Sequence, residues 1–195
     1  MNKNRLEAFS DGMLAIIITI MVLEIKMPHG HELKDLLLVL PAFFCYVQSF
    51  WFIGVYWNNH HHLLHTVKKV NGKIMVLNML LLFFLSLVPI ATNWVSETEF
   101  APVPVAVYAV VLPTCGLGWT ALQNFIEKES DWTPQVKSAM DRQTRKGWIS
   151  VVLYGAGIPF AFYNPFISEA LFVLVAVMWL LPDKNIEKAF SQDRD

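Results

Sequence analysis

Charge is scarce in this chain. Asp, Glu, Lys and Arg make up only 16% of its 195 residues, against 55% hydrophobic. Soluble domains carry about a quarter charged residues, so the composition excludes an ordinary soluble fold and fits a membrane protein. Cysteine is nearly absent as well. Cys45 and Cys115 each lie inside an apolar run, which leaves no disulfide framework and makes both small packing residues. The middles of the apolar runs lack carboxylates, and no internal repeat or low-complexity tract is visible; residues 1–195 read as one domain. The first apolar run does not read as a removable signal, because its opening is acidic and no small-residue cleavage site follows.

What the chain has instead is apolar length. Six runs stand out, at about 9–27, 36–56, 74–94, 103–126, 148–163 and 166–181. Crossing the hydrocarbon core takes roughly 20 helical residues, with about 17 as a lower bound. The middle runs meet this. The last two are short and separated only by Asn164-Pro165, and read as a tight helical hairpin bounded by Gly147-Trp148 and Pro182-Asp183. With the amino terminus inside, thirteen Lys and Arg fall on the cytoplasmic side, Lys184, Lys188 and Arg194 among them, and only Lys26 and Lys34 fall outside. That asymmetry sets the orientation and puts both termini in the cytoplasm, which an even number of spans requires. Between the fourth and fifth runs the polar stretch 127–146 is expected to be partly helical, with Thr133 as cap and Pro134 in the first turn. Pro89 should bend the third span, and Pro113 with Gly116 and Gly118 the fourth.

The first run opens on Phe9-Ser10-Asp11-Gly12, read as a polar turn carrying a full charge. An ionisable group at that depth points to a partner and a role. Trp57, Asn58, His60 and His61 leave the second span at the same level and supply donors; Arg5 reaches Asp11 if the chain bends before Phe9 or another helix intervenes. The plain alternative is that Ser10-Asp11 caps the span and faces water. Gly12 would admit a neighbouring helix. Ile16, Ile20 and Leu23 share a helical face with Thr19 beside it, and from the residues alone core or lipid contact is the default reading. In the third span, Ser86 and Thr92 are expected to bond neighbouring helices. Four histidines at 60, 61, 62 and 65 invite a metal enzyme, but no second His or carboxylate cluster completes a site, so neither catalysis nor a metal is expected.

Arg5-x-x-x-Phe9-Ser10-Asp11-Gly12 at the head of a six-span chain resembles the signature of the endolysosomal potassium channel family, the transmembrane protein 175 family. The pattern Asn78, Leu82-Phe83, Ser86-Leu87-Val88-Pro89 and Thr92 is similar to that family too. The chain looks like the short prokaryotic form with one six-span unit, and like the family it has no TVGYG-type filter loop. The resemblance implies an all-α membrane protein in a prokaryotic plasma membrane, assembled as a homotetramer with four first helices around a central pore. It implies passive, potassium-preferring conduction, with permeant potassium ions but no cofactor and no nucleic-acid partner. Ile16 is the expected constriction, Ile20 and Leu23 the further pore-facing positions, and Thr19 a polar layer. Arg5, Phe9, Ser10, Asp11 and Gly12, with Trp57, Asn58, His60 or His61, are expected to hold helices together near the intracellular mouth. A ring of Ile16 side chains would exclude water when closed and pass a partly dehydrated ion when dilated, favouring the more weakly hydrated potassium. Glu24 would concentrate cations near the outer end, or snorkel as a plain surface carboxylate. The competing class is a secondary transporter or proton-coupled carrier, which calls for mid-membrane ionisable groups and inverted repeats.

Overall fold

A computed structural model describes residues 2–180. The predicted end of the sixth run at 181, the Pro182-Asp183 boundary and the basic residues Lys184, Lys188 and Arg194 lie outside the described residues. The described chain is helical throughout, with α1 Lys3–Leu23, α2 Leu33–Leu36, α3 Leu40–His65, α4 Gly72–Ser86, α5 Val88–Glu97, α6 Pro102–Glu129, α7 Pro134–Tyr163 and α8 Pro165–Leu180. A single turn at Leu37–Val39 joins α2 to α3, and α4 continues into α5, so the eight segments form six rods. Four of these, Lys3–Leu23, Leu33–His65, Gly72–Glu97 and Pro102–Glu129, are long and apolar enough to cross a membrane.

Two boundaries differ from expectation. The Phe9-Ser10-Asp11-Gly12 segment is not a turn but lies inside α1, which starts six residues earlier at Lys3, capped by the Asn2 side chain, and ends at Leu23. Polar residues within a run of good helix formers do not stop a helix whose caps lie elsewhere. No helix boundary falls at Gly147-Trp148, where the fifth apolar run is expected to begin. Thr133 caps and Pro134 opens a helix as expected, but that helix runs unbroken for 30 residues to Tyr163. Pro89 does mark an interruption: the α-helical pattern lapses at Leu87, two residues before it. Pro113, by contrast, sits inside α6 without ending it. The Asn164-Pro165 hairpin is present, with the Phe166 amide donating to Asn164 Oδ1 at 3.0 Å. The Ser168 hydroxyl donates to the Gly157 carbonyl at 2.7 Å, and the Phe172 ring packs against Gly157 so closely that a Cβ there would lie 2.7 Å from it.

Contacts between connections fix which ends lie together. Lys3 Nζ donates to the His65 carbonyl at 2.9 Å, and Lys68 pairs with Asp131 at 3.2 Å. The start of α1 therefore lies beside the α3–α4 connection, which meets the α6–α7 connection; with the adjoining turns of α4, α6 and α7 they carry most of the described Lys and Arg and form the basic end of the bundle. At the opposite end Lys26 pairs with Glu97, and Asn93 Nδ2 donates to Glu24 at 3.4 Å. That exposed pairing with Glu97 raises the Lys26 pKa above its ordinary value. Inside, α1 packs on α3, α4 and α5, while α6, α7 and α8 pack on one another; α6 joins the two groups by packing on α4 and α5, and α3 also touches α8. Cys45 and Cys115 are buried, unlinked thiols.

Candidate functional site

Two faces of α1 behave oppositely. Leu6, Ser10, Leu14, Ile17 and Met21 recur at helical spacing and are buried against the bundle. The other face is bare: Phe9, Gly12, Ile16, Thr19, Ile20 and Leu23 are all exposed in the single subunit. Ile16 is 55% exposed, Ile20 42% and Leu23 81%. All four residues of the expected conduction path thus share one stripe that the subunit's own helices leave uncovered. Nothing lies within 4 Å of a Cβ added at Gly12. The Thr19 hydroxyl donates to the Ile16 carbonyl at 3.0 Å, which removes one need for an outside partner and leaves the oxygen free to accept.

Beneath that stripe, a polar chain fastens α1 to its neighbours. The Ser10 hydroxyl donates to the Leu6 carbonyl at 2.9 Å, and Asn78 Nδ2 on α4 donates to Ser10 Oγ at 3.0 Å. Asn78 Oδ1 lies 2.6 Å from His60 Nε2 on α3. An amide oxygen only accepts, so His60 presents Nε2–H to it, which assigns the tautomer. All three side chains are buried. Trp57 Nε1 donates to Asp11 Oδ1 at 3.1 Å, joining α3 to the rim of the bare face.

The grouping differs in detail from the expected cluster around Asp11. Trp57 reaches it; His60 turns instead to Asn78, one layer deeper. His61 is exposed and stacks edge-on with His62 and His65. Arg5 and Asn58 are exposed, and within one chain Arg5 does not reach Asp11. Six residues along an unbroken helix place the two side chains roughly 120° apart. Thr92 behaves as expected, its hydroxyl 2.7 Å from Ser49 Oγ on α3, which lies 2.8 Å from Tyr108 Oη on α6. Ser86 does not: its hydroxyl donates to the Phe83 carbonyl in its own helix. Among the described residues no three of His, Cys, Asp and Glu gather as a ligand set.

Several buried polar residues went unanticipated. Asn78 entered only as part of the family pattern in the third span, not as the link between two helices. Gln48, Gln123, Gln143 and Glu169 are all buried. Glu169 lies about one turn inside α8, outside the middles of the runs where carboxylates are expected to be absent. Its signal was a lone acid four residues past Pro165 in an otherwise apolar run.

Residues 5–89 match the model of the family described as endosomal/lysosomal potassium channel TMEM175. A potassium channel of Chryseobacterium sp. (strain P1-3) is 48% identical over 193 residues, 99% of this chain and 100% of that protein. The human endosomal/lysosomal proton channel TMEM175 is 35% identical over 114 residues, 52% of this chain and 23% of its own. The fold is similar to the crystal structure of a lysosomal potassium-selective channel TMEM175 homolog from Chamaesiphon minutus, with a TM-score of 0.79 at 28% identity, covering 92% of this chain and 96% of that one.

Proposed function

Because this chain belongs to the endosomal/lysosomal potassium channel TMEM175 family, we propose that it is a potassium channel conducting passively along an axis formed by α1. The whole chain acts as one six-span unit in a prokaryotic plasma membrane with both termini cytoplasmic, and four copies assemble around the axis. The observation that carries this reading is the bare stripe of α1. Ile16, Thr19, Ile20 and Leu23 share it, on a helix whose other face is firmly packed.

In this reading the Ile16 side chains close the path by dewetting, and Thr19 oxygens offset part of the dehydration of a passing ion. Branched carbon side chains cannot replace lost hydration water, so the more weakly hydrated potassium passes in preference to sodium. The Ser10–Asn78–His60 chain and the Trp57–Asp11 bond hold α1 at a fixed rotation, which keeps the stripe aimed at the axis. Gly12 gives neighbouring copies room near the basic end.

Purified protein in liposomes tests the proposal. Potassium flux that exceeds sodium flux, and that loses this preference in Ile16→Asn, supports it; unchanged preference in that variant removes Ile16 as the constriction. A proton-coupled carrier is the second reading, favoured by the buried carboxylate of Glu169. Single-channel current steps separate the two, since a carrier shows none.

A further inference from the structure

On the side of the bundle away from α1, helices α3, α6, α7 and α8 enclose a cleft of about 60 Å³. Tyr56, Trp119, Tyr154 and Phe172 form much of its wall. Gln48 and Asn59, both on α3, line its two ends, ~16 Å apart along the helix axis. Asn59 accepts from Gln143 Nε2 at 2.8 Å near the basic end.

The cleft's polar atoms are not all satisfied by the protein. Gln48 and Gln143 are more than nine-tenths buried, and the Oε1 of each has no partner among the described residues. Glu169 lies beyond Gln48, 6% exposed, with one carboxyl oxygen equally unpartnered. Gln48 and Cys45 on α3 and Tyr108 on α6 face this carboxyl. On α7, Tyr154 packs against Phe172, one turn along α8 from Glu169. None of these groups is cationic. An acid buried in a membrane protein with no cation beside it among the described residues is costly, and such residues mark ion or proton paths. One water needs about 10–15 Å³ of such space, so the cleft holds roughly four. An apolar occupant would leave the amide oxygens unmet; a short file of water meets them.

We propose that this cleft is a water-filled inlet joining Glu169 to the basic end, and that Glu169 is a proton-binding site inside every subunit, separate from the α1 face. The step is a bare proton transfer: hydronium gives its proton to the carboxylate, leaving a carboxylic acid and water. Gln48 suits both states. Its amide N–H can donate to the ionised carboxylate, and after rotation its unpartnered oxygen can accept from the acid's O–H.

Infrared difference spectra of the full chain in lipid nanodiscs, between acidic and alkaline buffer, test this without relying on conduction. Failure here therefore leaves the channel reading untouched. A carboxylic acid C=O band should appear in the wild type, vanish in the near-isosteric Glu169→Gln and shift in Gln48→Leu. A band that survives unchanged in Glu169→Gln overturns the site. Gly116→Leu tests the inlet, because a Cβ at Gly116 would lie 3.6 Å from Val151 and 3.8 Å from Tyr56, both in the cleft wall. With size-exclusion chromatography verifying an intact fold, hydrogen–deuterium exchange at the band should slow in this variant. Exchange as fast as in the wild type overturns the inlet.

Discussion

Asn78 on α4 donates a hydrogen bond to Ser10 on α1 at 3.0 Å, and neither side chain has any exposed surface. Ser10 immediately precedes Asp11, the charged residue of the motif. The bond therefore sets which way the next two turns of α1 face, and hence where Ile16 and Thr19 point.

Replacing Asn78 with Leu removes two bonds and strands His60. Interhelical hydrogen bonds in membranes average about 0.6 kcal/mol, so a loss of ~1–2 kcal/mol is expected once the stranded imidazole is included. Thermal unfolding in detergent measures it. A melting curve identical to wild type would show that α1 is held by apolar packing alone.

Ile16→Asn should narrow the ratio of potassium to sodium flux in liposomes. A change of about tenfold corresponds to ~1.4 kcal/mol of lost discrimination. Thr19→Val keeps shape and removes the hydroxyl, so it should lower potassium flux while leaving the preference in place.

Asp11→Ala removes the acceptor of the Trp57 bond, a contact at an exposed rim and worth about 1 kcal/mol. The expected result is a smaller tetramer fraction by native mass spectrometry. A full tetramer with no conductance would instead assign Asp11 to the ion path.

Gly12→Leu distinguishes a subunit interface from a lipid face. Within one chain the new side chain meets open space, so the subunit itself should fold normally. Assembly should fail if copies meet there; a normal tetramer would show that copies do not meet at this position.

Gly157→Ala should destabilise the α7–α8 hairpin by about 1–3 kcal/mol, because its Cβ would lie 2.7 Å from the Phe172 ring. Thermal unfolding checks it, and unchanged stability would mean that Phe172 moves aside freely.

Composition and run length by themselves determined a helical membrane protein. The four long apolar helices, the hairpin at Asn164-Pro165 and the cap at Thr133 follow from local chemistry: apolar length, a missing proline N–H, a hydroxyl before a helix. That Ile16, Thr19, Ile20 and Leu23 lie on one side of a helix was also legible from their spacing, whatever lies around them; their role as a candidate path came from the family resemblance alone. Which side faces outward was not legible. An almost wholly apolar helix carries little contrast between faces, and only the packing of α3, α4 and α5 against Leu6, Ser10, Leu14, Ile17 and Met21 separates them. Partner choice was equally closed to sequence: three consecutive histidines look alike in a string, and His60 alone lands opposite Asn78. Glu169 and Gln48 lie 121 positions apart, and only the folded bundle makes them neighbours. Local bonding is written in adjacent residues; burial is a property of what the rest of the chain brings near.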